Sequence, residues 1–254
     1  MVGITLLAYH RFGGETPIAV DLPVTIIEQQ LDLLVDRTRV ISLGDAVDEL
    51  VGATNTGSER GAAIPTVVLT ADDGTADWVE VLLPMLVARR LPMTWYVATR
   101  FVDEQREFPN GGRPVSWAAL RDAVSTGLIT VGSHTHSHAV MTSLDATTAA
   151  EELTRSCDLI ESALGTRCEH FAYPKAMRPS AAAETEVRRR FMSAALAGNR
   201  PNRPGRTDPA RLGRTPVKRS DGLRRFETKA CGGTRLEGFV REHYDRLRYQ
   251  HDVT

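Results

Sequence analysis

The sequence has no apolar run that approaches the roughly 18 residues needed to cross a bilayer, so it predicts no membrane span. It also lacks an excess of either charge: the formal net charge is −1, and no overall field favours a nucleic acid or a membrane surface as partner. The first residues carry no basic region, and the apolar stretch 4–7 is too short for a signal core. We therefore expect a cytoplasmic protein without a nucleic-acid partner.

Cysteine is scarce, with Cys157, Cys168 and Cys231 only. The number is odd and the spacing is not that of metal ligands, which favours small buried thiols in a reducing compartment, with a disulfide as the alternative. The sequence has no evident internal repeat. Its 254 residues, 42% of them hydrophobic, suffice for one substantial core. We expect a single domain over residues 1–254, and the sequence leaves the oligomeric state open.

Short apolar segments alternate with amphipathic ones along the chain. This order predicts an α/β fold with a parallel sheet that is closed, or nearly closed, into a barrel. The expected strands are residues 4–9, 40–41, 66–69, 92–99, 129–131 and 171–173, with a late strand beginning at Arg214. The first expected helix begins at a capping box, Thr25–Glu28, and carries Leu31, Leu34 and Val35 on one side. The other expected helices are residues 42–50, residues 76–90 with a kink or a late start at Pro84, one that begins at Ser116, and one from Asp145 to Gly165.

Two carboxylates stand side by side at the end of the strand Thr66–Leu69, as Asp72 and Asp73 followed by Gly74. Two adjacent carboxylates at a strand end can both ionise at low free-energy cost only when a cation lies beside them. The glycine has no side chain, so another segment of backbone can come close to this turn. The pattern indicates a metal site, although an Asp-Asp-Gly sequence is also common as a plain turn.

Three of the seven histidines lie within five residues, at positions 134, 136 and 138, just after the short strand Ile129–Val131. In a helical turn His134 and His138 share one face, whereas in an extended segment all three do. Either conformation lets the outer pair converge. Imidazole and carboxylate together are typical ligands of zinc-like ions.

The segments Thr70–Gly74, Gly132–His138 and Phe171–Pro174 resemble the first three sequence motifs of the polysaccharide deacetylases, the NodB-homology or carbohydrate esterase family 4 enzymes. The resemblance extends from Leu6 to about Gly233, and its first two motifs are the specific ones. It implies a distorted (β/α)7 barrel.

The resemblance also implies roles for individual residues. The first aspartate of the pair, Asp72, corresponds to the general base, while Asp73, His134 and His138 correspond to the ligands of a divalent metal. Zn²⁺ is the expected ion, with Co²⁺, Ni²⁺ or Mn²⁺ as alternatives. Many family members carry a late Leu-x-His segment as the acid, which this sequence lacks. By analogy with relatives that place this histidine on the first strand, His10 is the candidate acid.

The third motif departs from the family pattern, because Lys175 and Ala176 replace an aromatic residue and a glycine. By the resemblance, the backbone amide of Tyr173 serves the oxyanion and its ring serves the sugar. Pro174, Lys175 and Arg214 are the further candidate substrate-binding residues, with bulk water as the alternative for Lys175.

These features together predict a metal-dependent hydrolase that removes an N-acetyl group from a carbohydrate or amino sugar and releases acetate. The absence of a targeting signal favours a small cytoplasmic substrate over an assembled polymer. One alternative is hydrolysis of another acyl or formyl amide by the same machinery. The other is an inactive carbohydrate-binding barrel, against which the retention of Asp72 argues.

Three peripheral segments complete the expectations. The basic stretch 200–225 is either a solvated face or, in part, a grip for an anionic portion of the substrate. The polar loop 103–115 is either a substrate-facing lid or a solvent loop. Residues 52–63 predict a surface loop, and residues 236–249 predict a charged amphipathic helix on the outside of the barrel.

Overall fold

The computed structural model describes residues 3–52, 64–109 and 111–232. The predicted helix at 236–249 and nearly all of the predicted loop at 52–63 lie outside the described residues. The strands are β1 Ile4–Tyr9, β2 Arg11–Gly13, β3 Asp21–Pro23, β4 Arg39–Val40, β5 Thr66–Asp73, β6 Met93–Val97, β7 Ile129–Ser133, β8 His170–Ala172, β9 Ser193–Ala197 and β10 Leu212–Pro216. The helices are α1 Val24–Arg37, α2 Leu43–Gly52, α3 Leu83–Arg89, α4 Thr99–Asp103, α5 Trp117–Ser125, α6 Ala146–Leu164, α7 Ala181–Arg190 and α8 Gly222–Ala230.

Within the described ranges, seven parallel strands close into a barrel in the order β1, β5, β6, β7, β8, β9, β10. β1 closes the ring because it pairs with β5 on one side and with β10 on the other, Ala8 lying opposite Thr70 and Pro216. β4 pairs with β5 outside the ring, and β2 and β3 form a small separate sheet. The predicted distorted (β/α)7 barrel is therefore confirmed.

Successive residues of the barrel strands contribute to two different apolar clusters. Leu7 and Leu69 belong to the large cluster between the strands and the surrounding helices, while Leu6 and Val68 belong to a smaller cluster. This period of two is what a strand produces, because neighbouring side chains point to opposite faces. With both faces buried, the strands read as nearly continuous apolar runs, which is typical of parallel sheets.

The ends of α6 lie where the sequence placed them. Asp145 accepts a hydrogen bond from the Thr148 amide at 2.8 Å, and Gly165 closes the helix in the left-handed conformation, with φ +68°. The predicted start of α1 is wrong, because the helix begins at Val24 after Pro23 and has no side-chain cap. A proline fits such a start, since its missing amide hydrogen has no partner in a first turn anyway.

The face predicted for α1 and the state predicted for the cysteines also need correction. Leu31 and Leu34 are buried as expected, but Val35 is 51% exposed. All three cysteines are free within the described ranges, and Cys168 is buried, yet Cys231 is exposed. No helix among the described residues is long and apolar enough to cross a membrane.

The segment predicted as one helix over 76–90 divides at Pro84. Residues Trp78–Leu82 form a π-helix, and α3 follows with Pro84 in its first turn. A proline has no amide hydrogen to donate to the carbonyl four residues earlier, which is that of Glu80. The preceding turn is instead wound more widely, and the amide of Leu83 reaches the carbonyl of Trp78.

Candidate active site

Polar side chains converge at the carboxyl ends of the barrel strands. His10 follows β1, Asp72 and Asp73 end β5, and His134 and His138 lie in the segment after β7. Because all barrel strands are parallel, their carboxyl ends share one rim, and this rim is where such barrels place their chemistry.

Asp73, His134 and His138 form a compact set of donor atoms. Their candidate ligand atoms all lie within 4.8 Å of one another. Asp73 Oδ1 is 3.8 Å from His134 Nε2 and 3.4 Å from His138 Nε2. A tetrahedral ion with bonds of about 2.1 Å needs ligand atoms about 3.4 Å apart, so this spacing fits a divalent metal.

The orientation of His134 also fits a ligand role. Its Nδ1 lies 2.8 Å from the carbonyl oxygen of Ala172, which can only accept, so Nδ1 carries the proton and Nε2 presents its lone pair to Asp73. A backbone carbonyl behind the ring is the usual partner that orients a metal-binding histidine. Burial is the main reason that the pKa of His134 is lowered to about 4, so the ring is neutral at neutral pH.

The middle histidine of the run points elsewhere. His136 is buried, and its Nδ1 lies 3.0 Å from the hydroxyl of Thr99. Thr135 and His138 both have positive φ, at +62° and +61°, so the segment is neither a regular helix nor an extended strand. This irregular backbone brings the outer pair together and turns His136 away from Asp73.

Asp72 faces a different partner from Asp73, which agrees with the different roles expected for the two aspartates. Arg214 of β10 donates Nη1 to Asp72 Oδ1 at 2.5 Å and Nη2 to Oδ2 at 2.7 Å. Arg214 also donates to the hydroxyl of Thr70, which in turn donates to the carbonyl of Leu7. Both ion-pair partners are almost fully buried, with side-chain exposures of 2% and 6%. Such a bidentate pair fixes a carboxylate in both position and plane.

Both aspartates are held ionised. Burial by itself raises the pKa of Asp72, but the charge of Arg214, supported by the nearby histidines and by the hydrogen bonds, lowers that pKa well below its usual range. For Asp73 burial again opposes ionisation, and the hydrogen bond from His138 with the neighbouring imidazoles lowers the pKa. The two carboxylates can therefore coexist as anions because each has its own partner, Arg214 for Asp72 and the imidazoles of His138 and His134 for Asp73.

His10 lies on the other side of Asp72. Its Nε2 is 4.0 Å from Asp72 Oδ2, and the side chain is 27% exposed at the rim. Its Nδ1 has no hydrogen-bond partner among the described residues. The backbone carbonyl of His10 accepts a hydrogen bond of 2.7 Å from the indole nitrogen of Trp78. The sequence-predicted acid is thus brought beside the sequence-predicted base.

The predicted substrate-binding residues are placed differently from one another. Arg214 is buried against Asp72 rather than open to the rim. The amide of Tyr173 donates to the carbonyl of Ala195 at 3.0 Å, and its ring is buried against Phe171. In this structure the amide of Tyr173 is therefore bonded within the barrel, and its ring packs against Phe171. Pro174 and Lys175 start the 3₁₀ turn after β8.

That turn carries the departure from the family's third motif. Pro174 is buried, Lys175 is exposed, and both Lys175 and Ala176 adopt positive φ, at +56° and +54°. The left-handed region favours glycine, the residue that the family pattern would supply. The backbone of the turn therefore keeps a glycine-like shape although the sequence lacks the glycine.

The basic stretch 200–225 makes several contacts within the protein. Arg211 pairs with Glu184 at 2.6 Å, and Arg219 donates to the carbonyls of Gly14 and Thr16. Like Arg214, these two arginines therefore make contacts inside the protein.

The loop 103–115 is joined to the Asp-Asp-Gly turn. The amide of Val115 donates to the carbonyl of Gly74 at 2.9 Å, and the amide of Ala76 donates to the carbonyl of Arg113 at 2.8 Å. A bridge between Phe108 and Gly112 closes the loop on itself. The carboxyl-terminal part of this loop thus lies against the segment that follows Asp73.

Sequence reasoning missed the structural roles of Arg214 and Trp78. The sequence predicts Arg214 among the substrate contacts and Trp78 only as an apolar residue of the helix over 76–90. Arg214 is 142 residues from Asp72, and Trp78 is 68 residues from His10. A single arginine beginning a predicted late strand was the one available signal, since an inward-facing charge on a barrel strand needs a buried partner.

The structure defines a seven-stranded parallel barrel whose rim holds a candidate metal-binding group of one carboxylate and two imidazoles, with a second, arginine-paired carboxylate beside it. The chain belongs to the polysaccharide deacetylase family, whose sequence profile matches residues 60–188, just over half of the 254 residues. No curated protein matches the chain.

Solved structures share the fold across nearly the whole chain. IcaB from Ammonifex degensii is 23% identical with a TM-score of 0.74, and the match covers 91% of this chain and 98% of that one. The deacetylase PplD of Streptococcus pyogenes is 16% identical with a TM-score of 0.76, covering 90% and 98%. A de-N-acetylase from Aggregatibacter actinomycetemcomitans is 19% identical with a TM-score of 0.72, covering 89% and 99%. At these identities the likeness establishes the fold.

Proposed function

We propose that the protein is a divalent-metal-dependent deacetylase that hydrolyses the N-acetyl group of an amino sugar or related carbohydrate. The observation that carries this proposal is the division between adjacent carboxylates: Asp73 faces His134 and His138, while Asp72 faces Arg214 and His10. One carboxylate is thereby left for metal binding and the other for proton transfer. Membership of the polysaccharide deacetylase family supports the acyl group and the class of substrate.

The reaction consumes one water per acetyl group. The water oxygen forms a bond to the acetyl carbon, the carbon–nitrogen bond breaks, and the products are acetate and a free amine. One water proton must be removed, and the leaving nitrogen must gain one. The site therefore needs a base on the water side and an acid on the nitrogen side.

The residues of the site supply both functions. A divalent ion, Zn²⁺ in our proposal, would be held by Asp73, His134 and His138 and would polarise the acetyl carbonyl and acidify a bound water. Asp72 accepts the water proton, and Arg214 keeps its carboxylate oriented. His10 delivers a proton to the leaving nitrogen.

The inactive-barrel alternative fits the site poorly. A binding protein needs no proton-accepting carboxylate beside the metal ligands, and an ion pair buried only for structure is costly to desolvate. Hydrolysis of a different acyl or formyl amide uses the same groups and is decided by substrate testing.

The test is acetate release from free and nucleotide-linked N-acetylated amino sugars by metal-stripped protein, with and without added Zn²⁺ or Co²⁺. We expect release only with metal. Asp72→Asn, which keeps the size of the side chain, should lower turnover by about 100-fold or more while the metal content stays unchanged.

Acetate release that is independent of metal would overturn the proposed chemistry. Normal turnover by Asp72→Asn would remove Asp72 from the role of base. If no acetate appears with metal bound, formylated and longer-chain amides in the same assay test the second acyl class.

A further inference from the structure

We propose that Trp78 is a positioning residue that acts through His10 and holds it where it can protonate the leaving nitrogen. This inference rests on the proposed function, because it takes His10 as the acid. It assigns to Trp78 a part in the reaction that its place inside the apolar core does not suggest.

The contact is a single directed hydrogen bond. The indole Nε1 of Trp78 donates to the carbonyl oxygen of His10 at 2.7 Å. Trp78 is fully buried, with 0% exposure. His10 is the single residue between β1 and β2 and belongs to neither strand. The indole bond fixes the peptide from which the imidazole extends.

The imidazole ring has little else to hold it. Among the described residues its Nδ1 has no hydrogen-bond partner, and its Nε2 lies 4.0 Å from Asp72 Oδ2, beyond hydrogen-bond distance. A catalytic acid must be placed within a few tenths of an ångström to be effective, and misplacement by about 1 Å can cost about 100-fold in rate. With a loosely held ring, the burden of placement falls on the backbone of His10.

The position of Trp78 in the chain links the acid to the base. Trp78 is six residues after Asp72, at the first residue of the π-helix that precedes Pro84. Single π-helical turns within helices are frequent at functional sites, because they redirect one side chain. Here the same short connection carries the base, a metal ligand and the donor that anchors His10. The ladder between β1 and β5, which pairs Tyr9 with Ala71, brings His10 beside Asp72, and the indole bond of Trp78 is a second connection between the same two segments.

The neighbouring tryptophan provides a matched control. Trp95 packs against Trp78 with ring centroids 5.2 Å apart, and it is also fully buried. Its Nε1 has no hydrogen-bond partner among the described residues. Trp95→Phe thus removes the same atoms from the same part of the core as Trp78→Phe, but it breaks no hydrogen bond.

The experiment compares two acetyl substrates. An N-acetylated amino sugar needs a proton on its leaving nitrogen, whereas an aryl acetate expels a phenolate that needs none. We expect Trp78→Phe to lower kcat on the amide by about 10-fold or more and to change the aryl acetate rate by less than about 2-fold. Trp95→Phe should leave the ratio of the two rates unchanged.

A double variant tests whether Trp78 acts through His10. His10→Ala should lower the amide rate at least as far, and adding Trp78→Phe to it should lower that rate no further. A loss that is equal for amide and ester would show that Trp78 supports only the fold and would overturn the proposal. If Trp78→Phe folds poorly, 3-benzothienylalanine at position 78 removes the N–H with the ring system retained.

A crystal structure of Trp78→Phe separates this proposal from the proposed function. Movement of the His10 ring away from Asp72 supports positioning even if no amide substrate is hydrolysed. A His10 Nε2 that stays 4.0 Å from Asp72 Oδ2, as in the parent protein, overturns it. Failure of metal-dependent acetate release in the parent protein counts against the proposed function alone.

Discussion

Arg214 and Asp72, 142 residues apart in the sequence, meet inside the barrel through two parallel hydrogen bonds of 2.5 and 2.7 Å. The guanidinium also lies over the ring of Tyr96, with its carbon 5.3 Å from the ring centroid. A carboxylate at this depth is ionised chiefly because the arginine compensates its charge. The pair therefore connects the stability of the barrel with the charge of Asp72, the proposed base.

Removing the arginine from this pair should be costly. We expect Arg214→Met to lower the free energy of unfolding by about 3–5 kcal/mol, because it leaves Asp72 buried without its partner. Arg211→Met is the control: Arg211 is half exposed and paired with Glu184, so its loss should cost less than about 1 kcal/mol. Urea unfolding of both variants measures the difference. Equal losses in the two variants would contradict the prediction.

The same pair predicts non-additivity. Asp72→Asn combined with Arg214→Met should be less destabilised than the sum of the two single variants, because the double variant leaves no buried charge unpaired. The same urea series supplies this comparison. Strict additivity would mean that the two side chains are independent in solution.

The proposed metal ligands His134 and His138 can be tested by substitutions within one short segment. His134→Ala and His138→Ala should each weaken zinc binding by more than the roughly 10–100-fold that loss of an outer-shell partner costs. His136→Ala should retain the metal, because His136 is bonded to Thr99 and lies outside the set. Competition with a chromophoric chelator measures all three. Full occupancy in His138→Ala would remove that residue from the set.

The pH dependence of the free energy of unfolding should include a contribution from His170, which is not one of the proposed metal ligands. His170 is buried and bonded to Ser193 Oγ at 2.9 Å, and burial lowers its pKa from 6.5 to about 4. The unfolded chain therefore binds a proton more readily than the folded protein does. The stability that comes from burying a neutral His170 is therefore fully present above about pH 6.5 and is lost as the pH falls towards 4.

The size of this effect follows from the shift. Between pH 7 and pH 5 the contribution should fall by about 2 kcal/mol. His170→Gln, which can still bond Ser193, should show a correspondingly flatter dependence over this range. Urea unfolding of the two proteins at both pH values gives the comparison, and identical slopes would show that His170 does not carry the effect.

The glycine after the aspartate pair should resist substitution. Gly74 has φ +115°, and a Cβ there would lie 3.4 Å from Val97 Cγ1. Gly74→Ala should cost more than about 1 kcal/mol of unfolding free energy, since the left-handed region disfavours a side chain. Gly44→Ala in α2, where the nearest atom is 3.8 Å away, should be neutral or stabilising by up to about 1 kcal/mol. Thermal unfolding that ranks the two in the opposite order would refute the strain argument.

Local patterns in the sequence predicted most of the barrel. The strand–helix alternation, the Asp145 cap and the Gly165 stop depend on chemistry within a few residues, so they could be read directly. The π-helix is harder to predict from the sequence. Pro84 marks an irregularity, but a kink, a late helix start and a widened turn are all compatible with a proline that has no amide hydrogen. The exposed face of α1 was misassigned at Val35 because amphipathic spacing defines a stripe only approximately.

The sequence by itself determined which residue types stand at the rim: two adjacent carboxylates, three histidines in five positions and one histidine after the first strand. Tertiary structure decided how they divide. It placed Asp73 against His134 and His138, turned His136 away, buried Tyr173, and brought Arg214 and Trp78 to Asp72 and His10. The physical reason is that these contacts join different strands of a closed barrel, and their geometry is set by strand register and backbone irregularities rather than by spacing along the chain.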